Sequence, residues 1–123
     1  ALLESDAAAV VAEKASAAEL QELQALHAAL EKASSQRTLF FEANERFHMR
    51  LLEIEGNRWR MEMVADLRKV MKLNRHHSLF KSGRIEESLA EHRAILAALL
   101  QRDPLTAQQA VRSHFQNGLL AAT

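Results

Sequence analysis

The chain has 123 residues, the size of one domain with its own hydrophobic core. Lysine and arginine together number 16, and so do aspartate and glutamate, so no strong net charge attracts nucleic acid or an anionic membrane. The absence of cysteine excludes disulfides and thiolate metal sites, and no apolar run reaches the roughly 18 residues that a membrane span needs.

The composition predicts an all-helical fold. Apolar residues make up 48% of the chain, whereas there are only three glycines and one proline, and strand-forming residues are sparse. No signal peptide is evident, so we expect a cytoplasmic protein. Because the chain starts inside an apparent helix and not with Met, we expect an upstream part. Residues 1–123 are predicted to form one domain.

Apolar residues at helical spacing predict six helices. The predicted helices cover residues 2–14, 17–31, 36–55, 58–79, 85–101 and 104–120. Ser16–Glu19 is a capping box, Gly56-Asn57 ends the third helix and caps the fourth, and Asp103-Pro104 opens the last. The short connections predict an antiparallel bundle, whose interior is a common place for ligand and metal sites.

The third helix carries two polar residues on its inward stripe. Asn44 and His48 lie one turn apart on the face that also holds Phe41, Leu51 and Leu52. Burying an amide or an imidazole costs about 1–3 kcal/mol unless the group finds a partner. The sequence therefore predicts that something inside the bundle binds these two side chains.

Two later helices each place a histidine in an aliphatic stripe. His92 lies between Leu89 and Leu96, and His114 follows Val111. An isolated inward histidine most often bonds to a carbonyl or a water, but three such residues favour a metal site. Three imidazoles and one oxygen donor can bind one side of zinc, nickel, manganese or iron and leave positions open for water or a carboxylate.

Two arginines are candidate ligand anchors. Arg68 and Arg75 are seven residues apart on one face of the fourth predicted helix. Either guanidinium could form a forked pair with a carboxylate if that face borders the cavity. Solvated positive charge is the alternative interpretation.

The remaining polar residues are predicted to be structural. We interpret His27 as a core residue without a polar partner at i+4, and His76-His77 as a solvated helix end. The acidic residues of the fifth predicted helix are predicted to form a solvated face: Glu86, Glu87 and Glu91.

Several short motifs, taken in chain order, resemble those of a known family. They are Asn44 before Phe47-His48, then Gly56-Asn57, Glu91-His92-Arg93-Ala94-Ile95-Leu96, Asp103 and Ala110-Val111-Arg112-Ser113-His114. Together they resemble the FCD domain, the effector-binding domain of the FadR subfamily of GntR-type bacterial transcription regulators. The resemblance runs from the Leu3-Glu4 region through His114.

The resemblance implies a helical bundle that binds a divalent metal and, over it, a small organic acid. It places the metal ligands at Asn44, His48, His92 and His114, with zinc or nickel favoured over manganese or iron. Many members have Asp at the first position, and the neutral amide of Asn44 is a weaker donor. The family further implies a homodimer whose N-terminal winged helix-turn-helix domain, absent from these 123 residues, binds operator DNA.

Two other classes of function stay open. A three-histidine site with open positions could activate water in a metal-dependent hydrolase, but the sequence places no Glu or Asp convincingly on an inward face to serve as the base. Alternatively, the histidines of a purely structural dimerisation bundle bond only to one another and to water. The resemblance favours a sensor domain over an enzyme.

Overall fold

The computed structural model describes residues 2–122, which form an all-helical bundle. Its helices are α1 (Leu2–Lys14), α2 (Ala17–Lys32), α3 (Arg37–Glu55), α4 (Arg58–Val70), α5 (Lys72–Ser78), α6 (Arg84–Leu100) and α7 (Pro104–Ala122). The predicted all-α antiparallel bundle is confirmed, and five of the six predicted helices agree with the structure to within two residues at each end.

The helix ends form where the sequence places capping residues. The Ser16 hydroxyl accepts a hydrogen bond from the Glu19 backbone N–H at 3.1 Å, and the Glu19 carboxylate accepts one from the Ser16 N–H at 2.9 Å. Gly56 ends α3 with a left-handed φ of 81°. Asn57 then accepts from the Arg60 N–H at 3.0 Å and opens α4. Local side-chain chemistry therefore sets these boundaries.

The fourth predicted helix is wrong in its extent, because it breaks at Met71 into α4 and α5. Met71 has φ −93° and ψ 7°, although neither glycine nor proline stands there. In a continuous helix Arg68 and Arg75 would be separated by about 10 Å along the axis. In the structure, Arg68 and Arg75 lie on either side of the break, and both guanidinium groups bond to the same carboxylate, that of Glu45 on α3.

The core lies where α7 packs along α1 and α6, and where α3 packs against α1 and α2. By contrast, α4 turns most of its apolar side chains away from this core. Trp59, Met63 and Val70 are 76%, 55% and 78% exposed. Leu73 on α5 is exposed as well, and we call these four residues the apolar stripe. Within residues 2–122, no helix has the length and apolarity of a membrane span.

Two glycines give opposite predictions for stability. Gly56→Ala places a Cβ on a residue with positive φ, which we expect to lower the free energy of unfolding by about 1–2 kcal/mol. Gly118 lies within α7, and an added Cβ there would meet a guanidinium nitrogen of Arg84 at an ordinary 3.6 Å. Gly118→Ala should therefore raise the free energy of unfolding by up to about 1 kcal/mol.

Urea unfolding followed by circular dichroism measures both changes, and each variant serves as the control for the other. Equal midpoints for the two variants would contradict the assignment of Gly56 as a left-handed cap.

Candidate metal centre and adjoining cavity

Three histidines from three helices meet inside the bundle. His48 of α3, His92 of α6 and His114 of α7 are all buried, and one ring nitrogen from each lies within 4.8 Å of the others. The Nε2 atoms of His48 and His92 are 3.3 Å apart. The structure therefore brings together the three imidazoles that the sequence analysis singled out.

Two carboxylates, one buried and one half-buried, orient two of these rings. Glu4 of α1 accepts a hydrogen bond from Nδ1 of His48. Glu91 of α6 accepts one from Nδ1 of His114 at 2.6 Å. Because each carboxylate binds Nδ1, the Nε2 atom of each ring is left for another partner. A carboxylate behind an imidazole is the arrangement that fixes the tautomer of metal-binding histidines.

The protonation states also suit a cation. Burial raises the pKa of the Glu4 carboxyl, but the adjacent His48 and Arg68 outweigh burial and hold that pKa below its usual value. Burial lowers the pKa of His114 to about 4, although its bond to Glu91 opposes the shift. Burial also places the pKa of His92 well below its usual value. At neutral pH His92 and His114 are therefore uncharged and retain a lone pair that can bind a metal.

The separation of the His48 and His92 nitrogens fits a shared divalent ion. Two nitrogens at about 2.1 Å from one ion, at tetrahedral or right angles, are about 3.0–3.4 Å apart, which matches the separation of His48 and His92. Asn44, one turn before His48, has a buried Oδ1 atom without a hydrogen-bond partner among residues 2–122. Nδ1 of His92 is also buried without one. Asn44 also lines the same cavity as His48 and His114, and its role as the oxygen donor stays a prediction.

Arg68 and Arg75 both border the cavity next to the histidines, but carboxylates of the chain already bind them. Arg68 is buried and donates to Glu45 at 2.7 Å and 3.2 Å and to Glu4 at 3.2 Å. Arg75 donates to Glu45 at 2.8 Å and 3.0 Å. Neither is the solvated charge of the alternative interpretation, and Glu45 links α3 to both α4 and α5.

Sequence reasoning missed the acidic residues of the site. Glu91 was expected on a solvated face, but it binds His114, Asn117 and, at 2.9 Å and 3.0 Å, Arg84. The prediction that no Glu or Asp side chain faces the interior is also wrong, because Glu4 is buried. Its position three, four and seven residues before Ala7, Ala8 and Val11, all buried residues of α1, was the signal that could have identified it.

The other histidines lie outside this cluster. His27 is buried as predicted, yet it does have a polar partner at i+4, since its Nε2 is 2.8 Å from Glu31. His76 is half-buried and stacks on Phe41 with ring centroids 3.5 Å apart, so the prediction of a solvated end describes only His77.

A cavity of about 520 Å³ adjoins the histidines. Asn44, His48 and His114 line it, whereas His92 is fully buried behind them. Its remaining wall comes mainly from α1, α4, α5 and α7 and is largely apolar. The arrangement offers a ligand a polar end at the histidines and an apolar space beyond it.

Comparisons with known proteins identify the family and the fold. The family model described as the FCD domain matches residues 1–117. E. coli McbR/YncC has a similar structure, with a TM-score of 0.85 and 22% sequence identity over 98% of this chain, which spans 58% of the McbR/YncC chain. No curated protein matches. The chain therefore belongs to the FCD domain family, the effector-binding domains of GntR-type transcription regulators.

Proposed function

We propose that this chain is the ligand-sensing domain of a GntR-type regulator. It binds a divalent metal through Asn44, His48, His92 and His114, and a small carboxylic acid in the adjoining cavity. The acid then alters how a winged helix-turn-helix domain elsewhere in the protein binds operator DNA in the cytoplasm. The observation that carries this proposal is the convergence of the three buried imidazoles beside a ligand-sized cavity.

Zinc or nickel suits three imidazoles best, and manganese or iron is the alternative. When bound, the ion supplies positive charge and open positions for the carboxylate of the acid. Glu4 and Glu91 hold the rings of His48 and His114 in position. The neutral amide of Asn44 replaces a carboxylate, so we expect weaker metal binding than in relatives with Asp at this position.

Arg68 or Arg75 is a second contact for the acid. Both border the cavity and both are paired with Glu45. A bound carboxylate beside either arginine would share its guanidinium donors with Glu45. Because Glu45 joins α3 to α4 and α5, such sharing would shift the packing of these helices. This is a route by which ligand binding could change the shape of the domain, and it requires only that the acid bind one helix arrangement more tightly.

The site favours a sensor over a hydrolase. A hydrolase needs a carboxylate or other base that is free to take a proton beside the metal. Glu4 and Glu91 are each bonded to a histidine and to an arginine. The His114 ring and Arg84 outweigh the effect of burial and lower the pKa of Glu91 to about 2, so it is a poor base. A purely structural bundle has no need for the unpaired Asn44 oxygen at a cavity wall.

We further propose that two copies of the chain form a homodimer through the apolar stripe. The four large side chains of the stripe, on α4 and α5, are each more than half exposed. Packing this stripe against its own copy about a two-fold axis would remove the four side chains of each copy from water.

Metal content tests the central proposal. Protein purified without chelator and dialysed against Zn²⁺ should hold about one ion per chain, because the three imidazoles are in place. The double variant His92→Ala/His114→Ala should hold almost none. His27→Ala is the matched control, since His27 is buried outside the cluster, and it should retain the ion. Elemental analysis gives the ratio, and a parent protein without metal would refute the metal site.

The same three proteins test acid binding. Acetate at millimolar concentration should raise the melting temperature of the parent and the His27→Ala variant with Zn²⁺ present, because a ligand that binds only the folded state stabilises it. After chelation, or in the double variant, acetate should have no effect. Equal stabilisation in all cases would show that the acid does not bind at the histidines.

Glu4 should support metal binding without contacting the metal. Glu4→Gln replaces the carboxylate that orients His48, and we expect Zn²⁺ affinity to fall about 10- to 100-fold. Glu31→Gln changes another carboxylate–imidazole pair, His27 with Glu31, and should leave the affinity unchanged. Competition with a chromophoric chelator measures both constants. Unchanged affinity in Glu4→Gln would remove Glu4 from the site.

The dimer proposal predicts the effect of charge in the stripe. Trp59→Glu/Val70→Glu should convert the dimer to a monomer, because burying two carboxylates per copy is unfavourable. Leu105→Glu on α7 is the matched control at an exposed leucine outside the stripe. Light scattering after size-exclusion chromatography gives the mass. A parent monomer at micromolar concentration, or a dimer that survives the double substitution, would contradict the proposal.

A further inference from the structure

We propose that the cavity selects a monocarboxylic acid with an apolar tail over an acid that carries two or more carboxylates. The inference rests on the proposed function, in which a carboxylate binds at the histidine end of the cavity, and adds the chemical class of the ligand. Two observations carry it: the pairing of the arginines around the cavity, and the composition of the cavity wall.

Most of the positive charge around the cavity is already compensated. Four arginines border it, namely Arg68, Arg75, Arg84 and Arg112. The first three are bonded to glutamates of the chain, Arg68 and Arg75 to Glu45 and Arg84 to Glu91. A second carboxylate placed beside any of these three would lie next to a glutamate and meet repulsion as well as attraction.

Arg112 alone among these four has no carboxylate partner within the described part of the chain, and it is exposed to solvent at the rim. Water solvates such a guanidinium well in the free protein. An ion pair at an exposed position contributes a factor of about five in affinity at most. Arg112 therefore provides little energy for selecting a second carboxylate.

The apolar wall offers a ligand considerably more binding free energy than Arg112 does. It includes Leu2, Phe41, Val64, Leu67, Phe115 and Leu119. Leu2, Leu67 and Leu119 are each more than half exposed, so a ligand tail that covers them removes apolar surface from water on both partners. Each methylene buried in this way raises affinity about fourfold. Two buried methylenes already outweigh an ion pair with Arg112.

The size of the cavity agrees with this conclusion. At about 520 Å³ it falls within the range of about 300–1,000 Å³ typical of sites for drug-sized ligands. An acid of two or three carbons bound at the histidines would leave most of the apolar wall in contact with water. A tail of several carbons would occupy this volume.

Isothermal titration calorimetry on the full chain loaded with Zn²⁺ tests the inference. The probes are acetate, butyrate, hexanoate and hexanedioate, of which the last two differ only by a second carboxylate at the far end. We expect the dissociation constant to fall by about fourfold per methylene, up to about 200-fold from acetate to hexanoate. Hexanedioate should bind more weakly than hexanoate, since its second carboxylate would lie against the apolar wall.

Two variants locate the tail. Leu67→Gln/Leu119→Gln should reduce the preference for hexanoate over acetate by about tenfold while leaving acetate affinity unchanged. Leu105→Gln changes an exposed leucine of the same helix as Leu119 outside the cavity and should leave the preference intact. An unchanged preference in the double variant would overturn the inference.

The other outcomes separate this inference from the proposed function. Hexanedioate binding tighter than hexanoate, with the advantage lost in Arg112→Gln, would overturn the apolar selection and leave the carboxylate sensor standing. Equal affinity for acetate and hexanoate would do the same. If none of the four acids binds the Zn²⁺-loaded chain, both the inference and the acid-binding part of the proposed function fail.

Discussion

The structure depends on one buried carboxylate, that of Glu4 on α1, which lies between the His48 ring of α3 and the Arg68 guanidinium of α4. A carboxylate without a partner at this depth would cost several kcal/mol, so its two partners must stay in place. Holding them fixes the orientation of the His48 ring and ties three helices together around one charge. The Glu91 carboxylate of α6 likewise orients the His114 ring of α7, and it is also bonded to Arg84 of its own helix.

In our proposal, these carboxylates also limit what the cavity binds. Glu4, Glu45 and Glu91 offset three of the four arginines that line it, and the three imidazoles meet at its polar end. Asn44, whose Oδ1 atom has no hydrogen-bond partner among residues 2–122, lines the same cavity. Beyond it the wall is mainly leucine and other apolar side chains, so the free energy available for recognition comes from one polar end and from apolar surface. This division is the basis for the ligand class that we infer.

The break at Met71 connects the cavity to the rest of the fold. Arg68 of α4 and Arg75 of α5, one on each side of the break, bond to the same Glu45 carboxylate of α3, so three helices meet at one group beside the cavity-lining arginines. The two helices that meet at this break, α4 and α5, also carry the apolar stripe. A change in the packing of α4 and α5 would therefore act on the cavity and on the proposed dimer surface together.

The sequence by itself determined the helices and the inward histidines. The spacing of apolar residues and caps such as Ser16 and Gly56 both depend on residues only a few positions apart. It did not determine Glu4, Glu91 or the break at Met71. In a sequence, a glutamate is interpreted as solvent-exposed because the histidine or arginine that pairs with it lies far along the chain. Glu4 and Arg68, for example, are separated by 64 positions. Only tertiary packing decides which buried charges meet, since the burial penalty and its compensating partner come from different helices.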